Sequence, residues 1–153
     1  MDMIDFIIDL IDDLFEMRKY RLNTRIETLS LKELRDICEF GLGFCEKELG
    51  INNRHKSPLS YSILTNKNKK RELGEYCFDR NKIILYRHNI DSLNKFIRVF
   101  IHEYTHYLQP IKTKYHKMLD EYGYDAHPHE IEAENNALIL YGKFIKEYRK
   151  SLK

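Results

Sequence analysis

Apolar and acidic residues alternate with helical spacing at the start of the chain. The apolar positions are Ile4, Ile7, Ile8, Ile11, Leu14 and Phe15, and the acidic positions between them are Asp2, Asp5, Asp9, Asp12 and Asp13. A recurrence of three or four residues predicts an amphipathic helix. The aspartates interrupt the apolar run and stand where a secretory signal carries positive charge, so the pattern does not indicate a signal peptide.

A second helix is predicted from a capping box formed by Ser30 and Glu33. Its apolar face runs through Leu34 and Ile37 toward Gly50, which suits the end of a helix. Residues 1–50 are therefore expected to form a helical N-terminal part.

The middle of the chain changes to short runs that are typical of strands. Strands are predicted within 59–87, at 59–65, 74–78 and 82–87, with a polar hairpin tip at 66–71. We expect a small antiparallel sheet.

Helical spacing returns after the sheet. Asp91 is the predicted cap of a third helix, 91–109, which ends before Pro110. Its predicted buried stripe contains Leu93, Phe96, Ile97, Phe100, Ile101, Tyr104 and Leu108. A loop of about eighteen residues, rich in tyrosine and histidine, is expected to follow. Pro128 then suits the first turn of a last helix, 128–150. The expected fold is a single α+β domain, 1–153, whose sheet packs against these two helices.

Composition narrows the function classes. The 26 basic and 24 acidic side chains leave a net charge of +2, so charge alone supports neither nucleic-acid nor membrane binding. No stretch is apolar enough to span a bilayer. Cys38, Cys45 and Cys77 are odd in number and irregular in spacing, which does not describe a disulfide framework. Two buried thiols at 38 and 45 and a cytoplasmic location are expected.

The third helix contains the motif His102-Glu103-Tyr-Thr-His106. Residues four apart share a helix face, so both imidazoles can bind one metal ion, and zinc suits this ligand type. Glu103 is the expected general base for a metal-bound water that attacks a carbonyl. The alternative is a pair of surface histidines on an ordinary helix.

The last helix offers the third metal ligand. Glu130 and Glu134 lie one turn apart on one helix face, whereas Glu132 is expected to point toward solvent. Glu130 as ligand would allow Glu134 to accept a hydrogen bond from the far nitrogen of a ligand histidine. The glutamates would also be explained as an acidic first turn that the helix dipole favours. His127 and His129 are alternative additional ligands.

The combination of His102-Glu103-x-x-His106 with Glu130-x-x-Ala133-Glu134 resembles the Glu-zincins, the metallopeptidases of the thermolysin, Ste24 and ImmA/IrrE groups. The resemblance implies a minimal zincin-like core in which Glu130 is the third zinc ligand. Glu134 then replaces the aspartate or asparagine that supports a ligand in the family, which is a departure because its side chain is longer.

The same resemblance implies an edge strand beside the active-site helix that binds an extended peptide or protein substrate, and 82–87 is the candidate strand. The oxyanion donor of larger relatives has no evident counterpart, although Tyr122 and Tyr124 are expected near the site. The leading hypothesis is thus a zinc metallopeptidase. The alternatives are a regulatory protein that cleaves or binds one partner, and a protein whose zinc is only structural.

Overall fold

The computed structural model describes residues 3–65, 71–110 and 112–153, and the fold of this part is α+β as predicted. Within these residues, five α-helices and three strands follow one another: α1 (Met3–Lys19), α2 (Leu31–Leu49), β1 (Ser60–Leu64), β2 (Gly74–Cys77), β3 (Lys82–Tyr86), α3 (Leu93–Leu108), α4 (Lys112–Tyr122) and α5 (Pro128–Ser151). The predicted hairpin tip at 66–71 lies outside the described residues, except for Arg71.

The sheet is mixed, so the prediction of an antiparallel sheet was wrong. Its strand order is β1-β3-β2, with β3 parallel to β1 and antiparallel to β2. The physical reason is the continuous apolar run Ile83–Tyr86, which is buried and must therefore lie between two strands. The resemblance implied that 82–87 is an edge strand. This prediction was also wrong, because β3 is the central strand. The edge strand that packs on α3 is β2.

Helices α3 and α5 form the most extensive contact between any two described elements. The predicted stripe of α3 is buried from Leu93 to Tyr104, and Leu108 packs against it while half-buried. On α5 the small residues Ala133 and Ala137 are fully buried, which lets the two helix axes approach closely. This close pair determines which side chains of the two helices meet.

The helix starts follow local hydrogen-bond chemistry. The Ser30 hydroxyl accepts from the Glu33 amide and the Glu33 carboxylate accepts from the Ser30 amide, so the predicted capping box of α2 is present. At α3 the cap is Ser92 rather than Asp91, because the Ser92 hydroxyl accepts from the amide of Lys95 at 3.3 Å. Asp91 instead pairs with the Lys95 ammonium group.

The segment predicted as a long loop contains α4, so this prediction was wrong. Tyr115, Met118 and Leu119 are half-buried and Tyr122 is exposed, at spacings of three and four residues. The period spans only two turns, among charged residues, and is therefore weak. Helix α4 brings Tyr115 toward the first turn of α5.

Helix α1 forms as predicted, but its apolar face is largely exposed. Ile4, Ile8 and Ile11 each retain half or more of their accessible surface. None of the described helices combines the length and the apolar character needed to cross a bilayer.

Candidate metal centre

His102 and His106 lie on consecutive turns of α3, and their side chains face the same direction. Their Nε2 atoms are 3.1 Å apart. Both side chains are mostly buried, at 19% and 15% exposure. The buried stripe of α3 fixes the rotation of the helix, and this rotation turns both imidazoles toward α5.

Glu130 reaches the same point from the first turn of α5. This helix begins with Pro128 at its first position, as predicted, and the His127 imidazole accepts from the His129 amide as its N-cap. Glu130 Oε2 lies 3.1 Å from Nε2 of His102, and Glu130 Oε1 lies 3.3 Å from Nε2 of His106. The two helices thus bring together the three side chains that the sequence nominated.

The donor set of this cluster fits a divalent metal ion. One ligand atom from each of His102, His106 and Glu130 lies within 4.8 Å of the other two. Two imidazole nitrogens and one carboxylate oxygen are the ligands that zinc takes in catalytic sites, where a fourth position stays open. Among the described residues, no other group of three such side chains has this geometry.

Glu103 is buried at the floor of the cleft beside this cluster. Burial raises the pKa of its carboxyl, while nearby His106 and His102 oppose the increase. The backbone amide of Tyr76 on β2 lies near this carboxyl and also opposes the increase in its pKa. This contact requires β2 to lie very close to α3. A Cβ atom on Gly74 would lie 2.6 Å from Cγ1 of Val99, so glycine permits the close approach.

Glu134 lies one turn beyond Glu130 and contacts the cluster only at its edge. Its Oε2 is 3.6 Å from Nδ1 of His102, which is too long for a good hydrogen bond. Its Oε1 is 2.5 Å from the Arg98 guanidinium. The side chain of Glu134 is 49% exposed. Glu134 thus lies beside Nδ1 of His102, but the predicted hydrogen bond to that nitrogen is not formed at this distance.

Tyr115 is a residue of the site that the sequence did not indicate. Its hydroxyl donates to Glu130 Oε1 at 2.6 Å. Burial alone would raise the pKa of the Glu130 carboxyl, but the neighbouring side chains of His102, His106 and Tyr115 lower this pKa below its ordinary value. The signal that would have revealed Tyr115 is the weak helical period of α4.

Gln109 is a second residue that sequence reasoning missed, and it lies just after α3. Its Oε1 is 2.7 Å from Nδ1 of His106. The pKa of His106 would be lowered by burial, but the carboxylates of Glu130 and Glu103 raise it above its ordinary value. His106 therefore has a polar partner at each ring nitrogen.

The other histidines and tyrosines that the sequence analysis expected near the site are not part of the cluster. His127 is fully buried, and its two nitrogens contact the amide of His129 and the carbonyl of Tyr115, so neither faces the cluster. His129 lines the cleft, and burial lowers its pKa. Tyr124 also lines the cleft, whereas Tyr122 is exposed at the end of α4.

The cluster opens into a cleft of about 560 Å³, a volume within the range typical of ligand sites. One wall is β2 with the turn that follows it, and the opposite wall is formed by α4 and the start of α5. His102, His106, Glu103 and Glu130 all line the cleft. A molecule in the cleft therefore has access to the whole candidate centre.

No family model, no curated protein and no solved structure matches this chain.

Proposed function

We propose that this protein is a zinc-dependent metallopeptidase that hydrolyses a peptide bond. The observation that carries the proposal is the convergence of His102, His106 and Glu130 beside the buried carboxylate of Glu103 in an open cleft. Three protein ligands and an adjacent carboxylate are the arrangement of a hydrolytic zinc site. The resemblance of the motifs to the Glu-zincins adds to this geometry.

Zinc, when bound, polarises a carbonyl group and lowers the pKa of water to about 7. Glu103 accepts the proton of the attacking water and then donates it to the departing amine, a role worth roughly 100- to 10,000-fold in rate. The nearby backbone amide of Tyr76 favours the charged form of the Glu103 carboxyl, which is the form that accepts a proton. Because the carboxyl is buried, it has little freedom to rotate away from the cleft.

The substrate of the proposed reaction is an extended peptide or protein segment. Within the described residues, β2 pairs with β3 on one side only, and β2 forms a wall of the cleft. An extended chain can pair with such an edge through backbone hydrogen bonds. The proposed location is the cytoplasm, since Cys38 and Cys45 are buried free thiols and Cys77 is also free.

Substitution of Glu103 by glutamine tests the catalytic assignment. Glu103→Gln should bind zinc like the parent, because the residue is no ligand, and should lose about 100- to 10,000-fold in rate. The assay is the hydrolysis of a library of internally quenched peptides, with zinc content measured on the same samples. Asp79→Asn is the matched control, because Asp79 lines the cleft without belonging to the metal cluster.

The two alternatives predict different outcomes. If zinc only stabilises the α3–α5 pair, the parent will bind zinc and cleave nothing, and His102→Ala will lower thermal stability in the presence of zinc. If the protein binds one partner without cleaving it, the parent and Glu103→Gln will retain that partner equally. Equal hydrolysis by the parent and Glu103→Gln would show that Glu103 is not the base.

A further inference from the structure

We propose that Gln109 is a positioning residue that holds His106 in the tautomer with its proton on Nδ1, so that the lone pair of Nε2 faces the metal ion. The inference rests on the proposed zinc site and adds the device that orients one of its ligands. It is carried by the hydrogen bonds of a single buried amide group.

The orientation of the Gln109 amide follows from its partners. The side chain is 8% exposed, and its Nε2 donates to the backbone carbonyl of His129 at 2.9 Å and to Oε2 of Glu132 at 2.9 Å. A carbonyl and a carboxylate can only accept hydrogen bonds. The NH₂ group must therefore face these two atoms, and the amide oxygen must face His106.

This orientation determines which nitrogen of His106 carries the proton. Oε1 of Gln109 lies 2.7 Å from Nδ1 of His106 and can only accept. Nδ1 must therefore be the donor. A neutral imidazole has one N–H group, so Nε2 keeps its lone pair, and this atom faces His102 and Glu130. Metal ligation by histidine requires this state.

Glu132 has an indirect part in this arrangement. It is exposed, as the sequence predicted, but its carboxylate holds one of the two amide protons of Gln109. The other amide proton is held by the first turn of α5, the turn that carries Glu130. Gln109 therefore couples the state of a ligand on α3 to the position of the helix that supplies the third ligand.

Two substitutions at Gln109 distinguish a role in orienting His106 from a role in stabilising the packing of α3 on α5. Gln109→Leu removes the acceptor for His106 and both donors to α5. Gln109→Glu keeps an acceptor for Nδ1–H but loses both donors, and its charge repels Glu132. We expect Gln109→Leu to lower zinc affinity by about 10- to 100-fold, the usual loss for an outer partner of a ligand. Gln109→Glu should retain affinity close to that of the parent, although it is less stable.

Zinc affinity is measured by competition with a chromophoric chelator, and stability by urea unfolding of the metal-free proteins. If Gln109 only stabilises the packing of α3 on α5, zinc affinity will fall in proportion to the loss of unfolding free energy. Gln109→Glu will then lose at least as much affinity as Gln109→Leu. That result, or an unchanged affinity of Gln109→Leu, would overturn the inference. The double variant Gln109→Glu with Glu132→Gln removes the repulsion, and it should recover stability while affinity stays near the parent value.

The tautomer itself is measured by long-range ¹H–¹⁵N correlation spectra of metal-free protein with labelled histidine, at alkaline pH. The signal of His106 is assigned by its loss in His106→Ala. The parent and Gln109→Glu should carry the proton on Nδ1, and Gln109→Leu should shift toward Nε2. A parent spectrum with the proton on Nε2 would refute the inference. Because this readout needs no zinc, it remains decisive even if the parent binds no metal and the proposed function fails.

Discussion

The two histidines of the candidate centre lie one turn apart on the same helix, yet their surroundings differ. Nδ1 of His106 contacts the Gln109 amide at 2.7 Å, and that amide is buried. Nδ1 of His102 faces the Glu134 carboxylate at 3.6 Å, and Glu134 is half exposed and paired with Arg98. The first contact is a short, buried hydrogen bond, and the second is a longer contact with a half-exposed carboxylate.

This difference indicates that the contacts of His106 hold its side chain more firmly than the contacts of His102 hold His102. A buried polar group that loses its partner costs about 1–3 kcal/mol, whereas an exposed ion pair contributes about 0–1 kcal/mol and is screened by salt. The His106 side is therefore the fixed part of the site. The His102 side can adjust when a ligand enters the cleft.

Removal of each histidine in turn gives the largest expected effects. His102→Ala and His106→Ala should each lower zinc affinity by more than about 100-fold, the upper limit for outer partners. The metal-free proteins should differ, because His106→Ala leaves the buried Gln109 oxygen without its partner and should cost about 1–3 kcal/mol of unfolding free energy. His102→Ala should cost less in urea unfolding. Equal losses of stability would remove the distinction between the two sides.

The parts of the site that the sequence predicted depend on local spacing. His102 and His106 are four residues apart, and Glu130 follows the helix start at Pro128, so the helical period places each side chain on a face. Burial of the apolar stripe of α3 then directs that face toward α5. The same reasoning could have predicted where Gln109 lies, but not how its amide is oriented. That orientation depends on Glu132 and on the His129 carbonyl, both from another helix.

The predictions that were wrong concern features that depend on contacts between segments distant in sequence. The spacing of β1, β2 and β3 is compatible with an antiparallel meander, and only the burial of Ile83–Tyr86 on both faces selects β3 as the central strand. The sequence did not predict helix α4 for a related reason. Tyr115 is buried by contacts with His127 and Glu130 rather than by neighbours in sequence. Tertiary contacts of this kind leave little trace in a local pattern.

Tyr115 extends the fixed side of the site to Glu130, the proposed third ligand, and its hydroxyl can be removed alone. Tyr115→Phe loses the 2.6 Å hydrogen bond to Glu130 while keeping the ring that stacks on His127. We expect zinc affinity to fall by about 10-fold, at the lower end of the range for such partners. Tyr122→Phe is the control, since Tyr122 lies on the same helix and is exposed. Equal affinities of the two variants would place Tyr115 outside the metal site.

Glu134→Gln gives the smallest expected effect and tests the adjustable side directly. The substitution removes the charge that faces His102 and Arg98 but keeps the length of the side chain. An exposed ion pair contributes about 0.2–1 kcal/mol, which corresponds to a change in zinc affinity of less than about 6-fold. The change should shrink further in 0.5 M salt, since a Debye length of roughly 4 Å screens exposed charges.

Glu27→Gln is the control for this measurement, because Glu27 forms an exposed ion pair with Arg25, a pair that takes no part in the cleft or the metal cluster. Its zinc affinity should equal that of the parent at every salt concentration. A loss for Glu134→Gln as large as that for Gln109→Leu, and independent of salt, would mean that His102 is held as firmly as His106. The long distance between Glu134 and His102 would then have to shorten when zinc binds, and the two sides of the site would be equivalent in the loaded protein.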